Sequence, residues 1–452
     1  MIDTTELEDR PDAPVVDTRG PAPVQAVLTV VGWAAILLVA RVVGLAYVHA
    51  HDTDLAVGAV PWVGAWTFEA RYVGPLLLAA AAAAAGVWLL PRVAMAASWR
   101  TVLAATALAG VALTLVLLWA GARDVHGGPF ELGYARHIGL VDEHGVASYL
   151  RTYVERQPDL GGHLRAHPAG LVLALWAFAQ IGLSGSAFQL TLVLLAGAAS
   201  TVAVLVAARE VGGEHLARAA APFVALAPVA VWRTNPDVFF GALALVGVAL
   251  VIVATGRTGR RRDLLAVAGG LTFAGALFCT YGVTLLVLPA VVVAVQRRAF
   301  RALVVAAIGG AIGIAVPAAW GFWWLAGLLE TRVQYQHSLA HSRGYSYWLL
   351  GNAATFLALV GPATLVGLTR LKGTALRVLV LAGLACPLLA GISGLSSAET
   401  ERIWQPFAPL VLLAGGVLWA GARTFDLRAA RCWLALQVVV ALAFQATLQS
   451  PW

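Results

Sequence analysis

The sequence predicts an all-α fold: a polytopic helical membrane protein of about 13 transmembrane helices with one long extracytoplasmic loop. Three observations carry this. Hydrophobic residues make up 60% of the 452 and charged residues only 12%, with a mean hydropathy of +0.82. Apolar runs of about 20 residues recur, each long enough to cross a ~30 Å hydrocarbon core as a helix. Ionisable residues collect between the runs, above all in the stretch 122–168, which holds five Arg, six carboxylates and five of the ten histidines.

Residues 1–24 carry Asp3, Glu6, Glu8, Asp9, Asp12 and Asp17 and no apolar periodicity, so a disordered tail is expected. The run Val24–Val48 behind this acidic stretch is too long for a signal peptide and reads as an uncleaved first helix. A second run covers 72–91, so residues 25–100 supply two N-terminal membrane helices ahead of a larger transmembrane domain, 101–452. Within that domain the spans fall near 101–121, 187–208, 217–232, 237–254, 264–281, 282–296, 302–325, 347–369, 374–393, 406–422 and 430–448. The apolar stretch 169–183 is about 15 residues, short for a crossing. Cys279, Cys386 and Cys432 fall inside apolar runs with no disulfide or zinc spacing, so buried thiols are expected.

Charge sets the orientation. If 169–183 stays on the outer side, every later basic cluster falls inside, as membrane insertion favours. The inner links then carry 17 Lys and Arg and the outer side 10, five of them in the long loop. The N-terminus is cytoplasmic, and 122–168 is extracytoplasmic, together with nine of the ten histidines. A plasma-membrane location follows. The net charge of +7 resides at helix ends, which explains it through the bilayer and excludes nucleic acid as its cause.

Three further polar segments share the outer side: Arg233–Asp237, residues 326–347, and Ser396–Trp404. The spans themselves are nearly free of charge, Arg41 being the main exception. A transporter more often carries ionisable groups near the midplane. Here they converge at the membrane–water boundary.

The motifs come in a fixed order. Asp124 follows a span, a long loop leads to His163-Leu-Arg-Ala-His167-Pro168-Ala169-Gly170, and Asp237-Val-Phe-Phe begins a later span. Then come Thr280-Tyr281-Gly282, Arg343-Gly-Tyr345-Ser-Tyr347-Trp348, and Glu399-Thr-Glu401-Arg402-Ile-Trp404-Gln-Pro406-Phe407. Over roughly residues 101–422 this order resembles the GT-C superfamily of polytopic membrane glycosyltransferases, in particular actinobacterial integral-membrane members with His-Pro-Pro-Gly-like and Glu-Arg-Ile-Trp-x-Pro-Phe motifs. Ala169 stands where that loop motif has its second proline.

The resemblance implies a GT-C-like fold and transfer of a hexosyl group (as in a mannosyltransferase) or a pentosyl group. The donor would be a polyprenyl-phosphate-linked sugar and the acceptor a cell-envelope glycan or lipoglycan. Inverting transfer needs a carboxylate to take the acceptor proton and cations for the departing phosphate, a task suited to the Arg fork. Asp124 is the candidate base, with Glu131, Asp142 and Glu143 as alternatives; Arg343 and Arg402 are the candidate phosphate clamps. His163, His167, Asp237, Tyr345, Tyr347, Glu401 and Trp404 complete the expected substrate site. Each has a plainer role: Asp237 caps a helix, Tyr345, Tyr347 and Trp404 form an interfacial belt, and Glu401 pairs with Arg402. His163 and His167, four apart, have the spacing of a metal pair, but Pro168 favours a turn; no metal ligand is assigned, and a divalent cofactor is not required by the sequence. The alternative from another class is a transporter or flippase of a lipid-linked precursor, which would show an internal repeat and midplane charges.

The orientation is directly testable. In a background lacking the three native cysteines, an impermeant thiol reagent added outside labels a cysteine at Ser148 and spares one at Thr258. The reverse pattern overturns the arrangement.

Overall fold

A computed structural model describes residues 23–51, 57–69, 72–121, 128–130, 133–422 and 424–451. The acidic tail falls outside these residues but for its last two positions, and so do Asp124 and Glu131. The described chain is all-α and polytopic. Nine of its helices are long and apolar enough to cross a membrane: α1 (Pro23–His51), α2 (Val73–Ala96), α3 (Trp99–Ala120), α6 (Gly185–Ala225), α7 (Pro236–Thr255), α8 (Gly259–Cys279), α10 (Phe300–Ala319), α13 (Tyr345–Leu368) and α17 (Leu427–Thr447). Between them lie α4 (Gly139–Arg156), α5 (Gly170–Gln180), α9 (Val287–Gln296), α11 (Trp324–Gln336), α12 (Leu339–Ser342), α14 (Leu376–Ile392), α15 (Thr400–Ile403) and α16 (Ala408–Leu412). Among the described residues, sheet is confined to two antiparallel pairs of two residues: β1 (Gly58–Ala59) with β2 (Trp62–Val63), and β3 (Ala65–Trp66) with β4 (Leu448–Gln449).

Four runs expected to span form shorter elements. Residues 282–296 give a 3-10 turn and the ten-residue α9, and 374–393 give the 17-residue α14. The stretch 406–422 breaks into a 3-10 turn, α16 and another 3-10 segment, Leu413–Leu418. Residues 217–232 form the last part of α6 and a 3-10 turn at Pro228–Trp232. The short stretch after the loop is α5, 11 residues and so about 16 Å of rise, half a hydrocarbon thickness.

Two long helices are broken at glycine. Gly213 in α6 has φ 82° and ψ 166°, and Gly361 in α13 has φ 74° and ψ 167°, backbone positions that only glycine adopts without strain. The break at Gly361 would leave polar backbone unpaired inside the bundle. Gln437 of α17 donates its side-chain amide to Val360 O at 2.8 Å, which restores the lost partner.

Burial grades from centre to rim. In its most apolar stretch α13 is 72% buried and α7 67%, against 6% for α1. α1 nevertheless docks specifically: Trp33 Nε1 donates to Leu357 O at 2.9 Å and Tyr347 OH to Ala40 O at 3.1 Å. Arg41 turns its guanidinium to Val60 O at 2.8 Å and toward the Trp66 ring, so it is satisfied by the segment behind α1. Cys279 and Cys386 are buried as expected, but Cys432 is exposed because it lies on the outer face of the peripheral α17.

Close helix contacts rest on glycine. Gly247 of α7 and Gly269 of α8 meet each other's backbone, and a Cβ on Gly270 would collide with Ala306 O of α10. Helix association in lipid depends on such approach, because apolar side chains gain little by leaving apolar lipid. Gly270→Val should therefore lower the melting temperature in detergent, at a cost of roughly 1–3 kcal/mol. Gly275→Ala, where a Cβ meets nothing within 4 Å, should leave it unchanged. Equal melting of the two variants would refute this account of the packing.

Candidate functional site

α7 is the ruler of the site. Its 20 residues give about 30 Å of rise, with Asp237 at its first turn and Arg257 just past its other end. At the Arg257 end, Glu210 pairs with Arg257 and Arg297 at 3.2 Å each, and Asp263 pairs with Arg301 at 2.9 Å. At the Asp237 end a different and more buried set assembles.

Asn235 caps α7 by accepting the Asp237 N–H at 2.9 Å, which points the Asp237 side chain back over the helix start. Arg402 Nη1 meets Asp237 Oδ2 at 2.6 Å, with both side chains about 95% buried. Arg402 Nη2 meets Glu399 Oε2 at 2.8 Å, and Arg343 lies 4.0 Å from the other oxygen of Glu399. Arg343 also donates to Ser397 O at 2.8 Å. Gly241, one turn along α7 from Asp237, makes this approach possible: Pro406 packs where a side chain would stand, which brings the Glu399–Phe407 segment onto α7.

The histidine loop closes the cluster from the other side. His167 Nδ1 bonds to His163 O at 2.7 Å, and Tyr153 OH donates to His167 O at 2.8 Å, so the turn before Pro168 is fixed at both ends. The Tyr134 ring stands edge-on to His167 at 5.6 Å. Burial lowers the His163 imidazole to about 4, helped by the Arg402 cation and opposed by Glu399. Burial also lowers His167, against the pull of Asp237. Both imidazoles are therefore neutral at pH 7. For Glu399, burial alone would raise the carboxyl, but the Arg402 guanidinium, by charge and hydrogen bond, and Arg343 outweigh it and hold it low. Burial lowers Arg402 less than Asp237 and Glu399 raise it, so its charge is secure.

Of the residues singled out in the sequence, His163, His167, Asp237, Arg343 and Arg402 thus come together. Glu401 is adjacent and fully buried; its Oε1 accepts the Val63 N–H at 2.9 Å and ties the segment behind α1 to this wall. Trp404 is buried beside Phe356 and 3.4 Å from Ser396 Oγ, bracing the same segment from behind. Tyr347 belongs to the α1 contact, stacked on Tyr47 at 5.5 Å, and Tyr345 is half exposed with its hydroxyl on Ile392 O. Asp142 stands apart on α4, where it accepts from Trp176 Nε1 at 2.7 Å and so couples α4 to α5. Asp124 and Glu131 lie outside the described residues. The chain around them is anchored on either side: Gly121 ends α3 against Gln445, and Phe130 N–H donates to Gln189 at 3.0 Å, with its ring edge-on to Phe239 of α7.

The sequence reading passed over Glu399 and Tyr134. The signal for Glu399 was present, two carboxylates flanking Thr400 just before an Arg. Tyr134 had none, since its part depends on a loop folding over α7. Among the described residues no group of three or more His, Cys, Asp or Glu is disposed to hold a metal ion. The cluster sets the Arg343 cation beside two neutral imidazoles able to act as donors or acceptors, while both terminal nitrogens of Arg402 are engaged by Asp237 and Glu399. No protein-family model matches the chain, and a comparison with curated proteins finds no match.

Acid should dismantle this cluster. His163 is lowered from 6.5 to about 4, so the fold prefers it neutral; the stability this contributes is present above pH 6.5 and lost as pH falls toward 4. Glu399, lowered from 4.5, loses its contribution in the same direction at the acid end. The melting temperature in detergent should be flat near pH 7–8 and fall between about 6.5 and 4, and His163→Gln should flatten the upper part of that fall. An identical pH profile for His163→Gln would show that the imidazole is not responsible.

Proposed function

We propose that this protein is a membrane glycosyltransferase that moves a sugar from a polyprenyl-phosphate-linked donor to a cell-envelope glycan or lipoglycan acceptor at the extracytoplasmic face. The observation that carries this reading is the convergence of His163, His167, Asp237, Arg343, Glu399 and Arg402 at one end of a bundle of membrane-length helices. A donor of this class keeps its chain in lipid and its sugar phosphate at the boundary, where such a cluster stands. The Arg-rich end with Arg257, Arg297 and Arg301 then faces the cytoplasm by the positive-inside rule, and the cluster faces out. In this arrangement 13 crossings result if the four shorter or broken elements also traverse the bilayer. The first two helices belong to the working unit, since Val63 bonds Glu401.

In the proposed reaction the acceptor hydroxyl attacks the anomeric carbon as the bond to the phosphate oxygen breaks. A carboxylate takes the hydroxyl proton, and the lipid phosphate leaves with the electron pair. Asp124 is the assigned base. Arg343 is the assigned phosphate contact, since both terminal nitrogens of Arg402 are engaged by carboxylates. Arg402 holds the wall in place and supplies the local field.

Purified protein in detergent, without any gradient, should transfer radiolabelled sugar from a polyprenyl-phosphate donor; movement of lipid-linked precursor across vesicles with no transfer would favour the flippase alternative instead. Asp124→Asn should reduce transfer at least ~100-fold with normal insertion and melting, and Arg343→Gln should reduce it comparably. Full activity in Asp124→Asn would remove the base from that position.

A further inference from the structure

Among the described residues, Arg233 is the strongly buried arginine whose charge the cluster above does not use. It sits in the turn between the 3-10 segment Pro228–Trp232 and α7, 9% exposed. Its single hydrogen bond among the described residues runs from Nη2 to Val224 O at 3.2 Å, and no carboxylate there pairs with it. Burial lowers the guanidinium to about 10, so it is still charged at neutral pH. An uncompensated buried charge is costly, which makes this cation a candidate ligand contact.

The surroundings supply that reason. Arg233 lines a narrow cleft, partly open to the surface, with Ser200, Thr201 and Gly197 of α6 and with Gln405. A second, slender lobe continues past Arg233 between α3 and α6, along Gly110, Thr114 and Leu194. The small residues are what leave the space: Nη1 of Arg233 lies 3.4 Å from where a Cβ of Gly110 would stand. Ser200, 8% exposed, has no side-chain partner among the described residues, so its hydroxyl can donate into the same cleft. On the outer faces of the same two helices, Leu108 is 68% and Leu195 63% exposed, apolar surface that a bilayer would cover.

We propose that this cleft binds the phosphate head of a lipid, with Arg233 and Ser200 on the phosphate oxygens and the hydrocarbon chain leaving between α3 and α6. The cation and the free hydroxyl match a phosphate oxygen, and the apolar lobe between two membrane-length helices matches a chain better than it matches water. This site is distinct from the Asp237–Arg402 cluster and does not depend on sugar transfer, so its test reads binding alone.

The test is thermal unfolding of the purified full-length protein in nonionic micelles, followed by tryptophan fluorescence. The probes are hexadecyl phosphate, hexadecanol and inorganic phosphate. Hexadecyl phosphate should raise the melting temperature by about 2 °C or more at saturation, while hexadecanol and millimolar inorganic phosphate should not. Arg233→Met, near in length and uncharged, should lose the shift while melting no lower than wild type without ligand; Ser200→Ala should weaken the apparent affinity about tenfold, a second readout if Arg233→Met does not fold. An equal shift with hexadecanol overturns the phosphate contact, and an equal shift with inorganic phosphate overturns the lipid. A shift that survives Arg233→Met but disappears in Arg402→Lys places the ligand at the Asp237 cluster and refutes the cleft.

Discussion

Arg402 holds its place beside α7 because Asp237 and Glu399 neutralise it on two sides. A guanidinium 95% removed from water is tolerable only with paired carboxylates and good geometry. Everything around it serves that geometry: the Asn235 cap aims Asp237, Gly241 lets Pro406 approach, and the left-handed backbone of Glu399, φ 59°, swings its carboxylate back to the arginine three residues on. The histidine turn then packs against a charge-balanced surface, and its imidazoles stay neutral.

The bundle is organised to make this end stiff and the periphery simple. Its most buried helices, α7 and α13, are held by glycine contacts and by side chains that repair broken backbone, as Gln437 does at Val360. α1 and α2 form an outer layer, yet the short segment between them reaches the site through the Val63–Glu401 bond and reaches the far end of the chain through the pairing of β3 with β4. Two buried arginines near the start of α7 differ in kind: the charge of Arg402 is paired by two carboxylates, while Arg233 bonds a carbonyl beside a cleft.

Composition and run length determined, without a structure, that the chain is helical and multi-pass, because a bilayer admits few other ways to satisfy a backbone. The order of polar segments between spans determined which residues could meet: Asp237, Arg343, Arg402 and the His163–His167 turn are all legible as ionisable groups at helix ends. Tertiary structure alone decided which of them touch. The bond from Arg402 to Asp237 joins residues 165 positions apart and depends on a glycine contact that leaves no periodic trace in sequence. The fate of Asp142, bound to Trp176 instead of joining the cluster, likewise turns on the course of one loop helix. Hydrophobicity marks the stretches that lipid can accept; the close backbone approach that aligns their ends is a property of packed pairs, and no single stretch of chain encodes it.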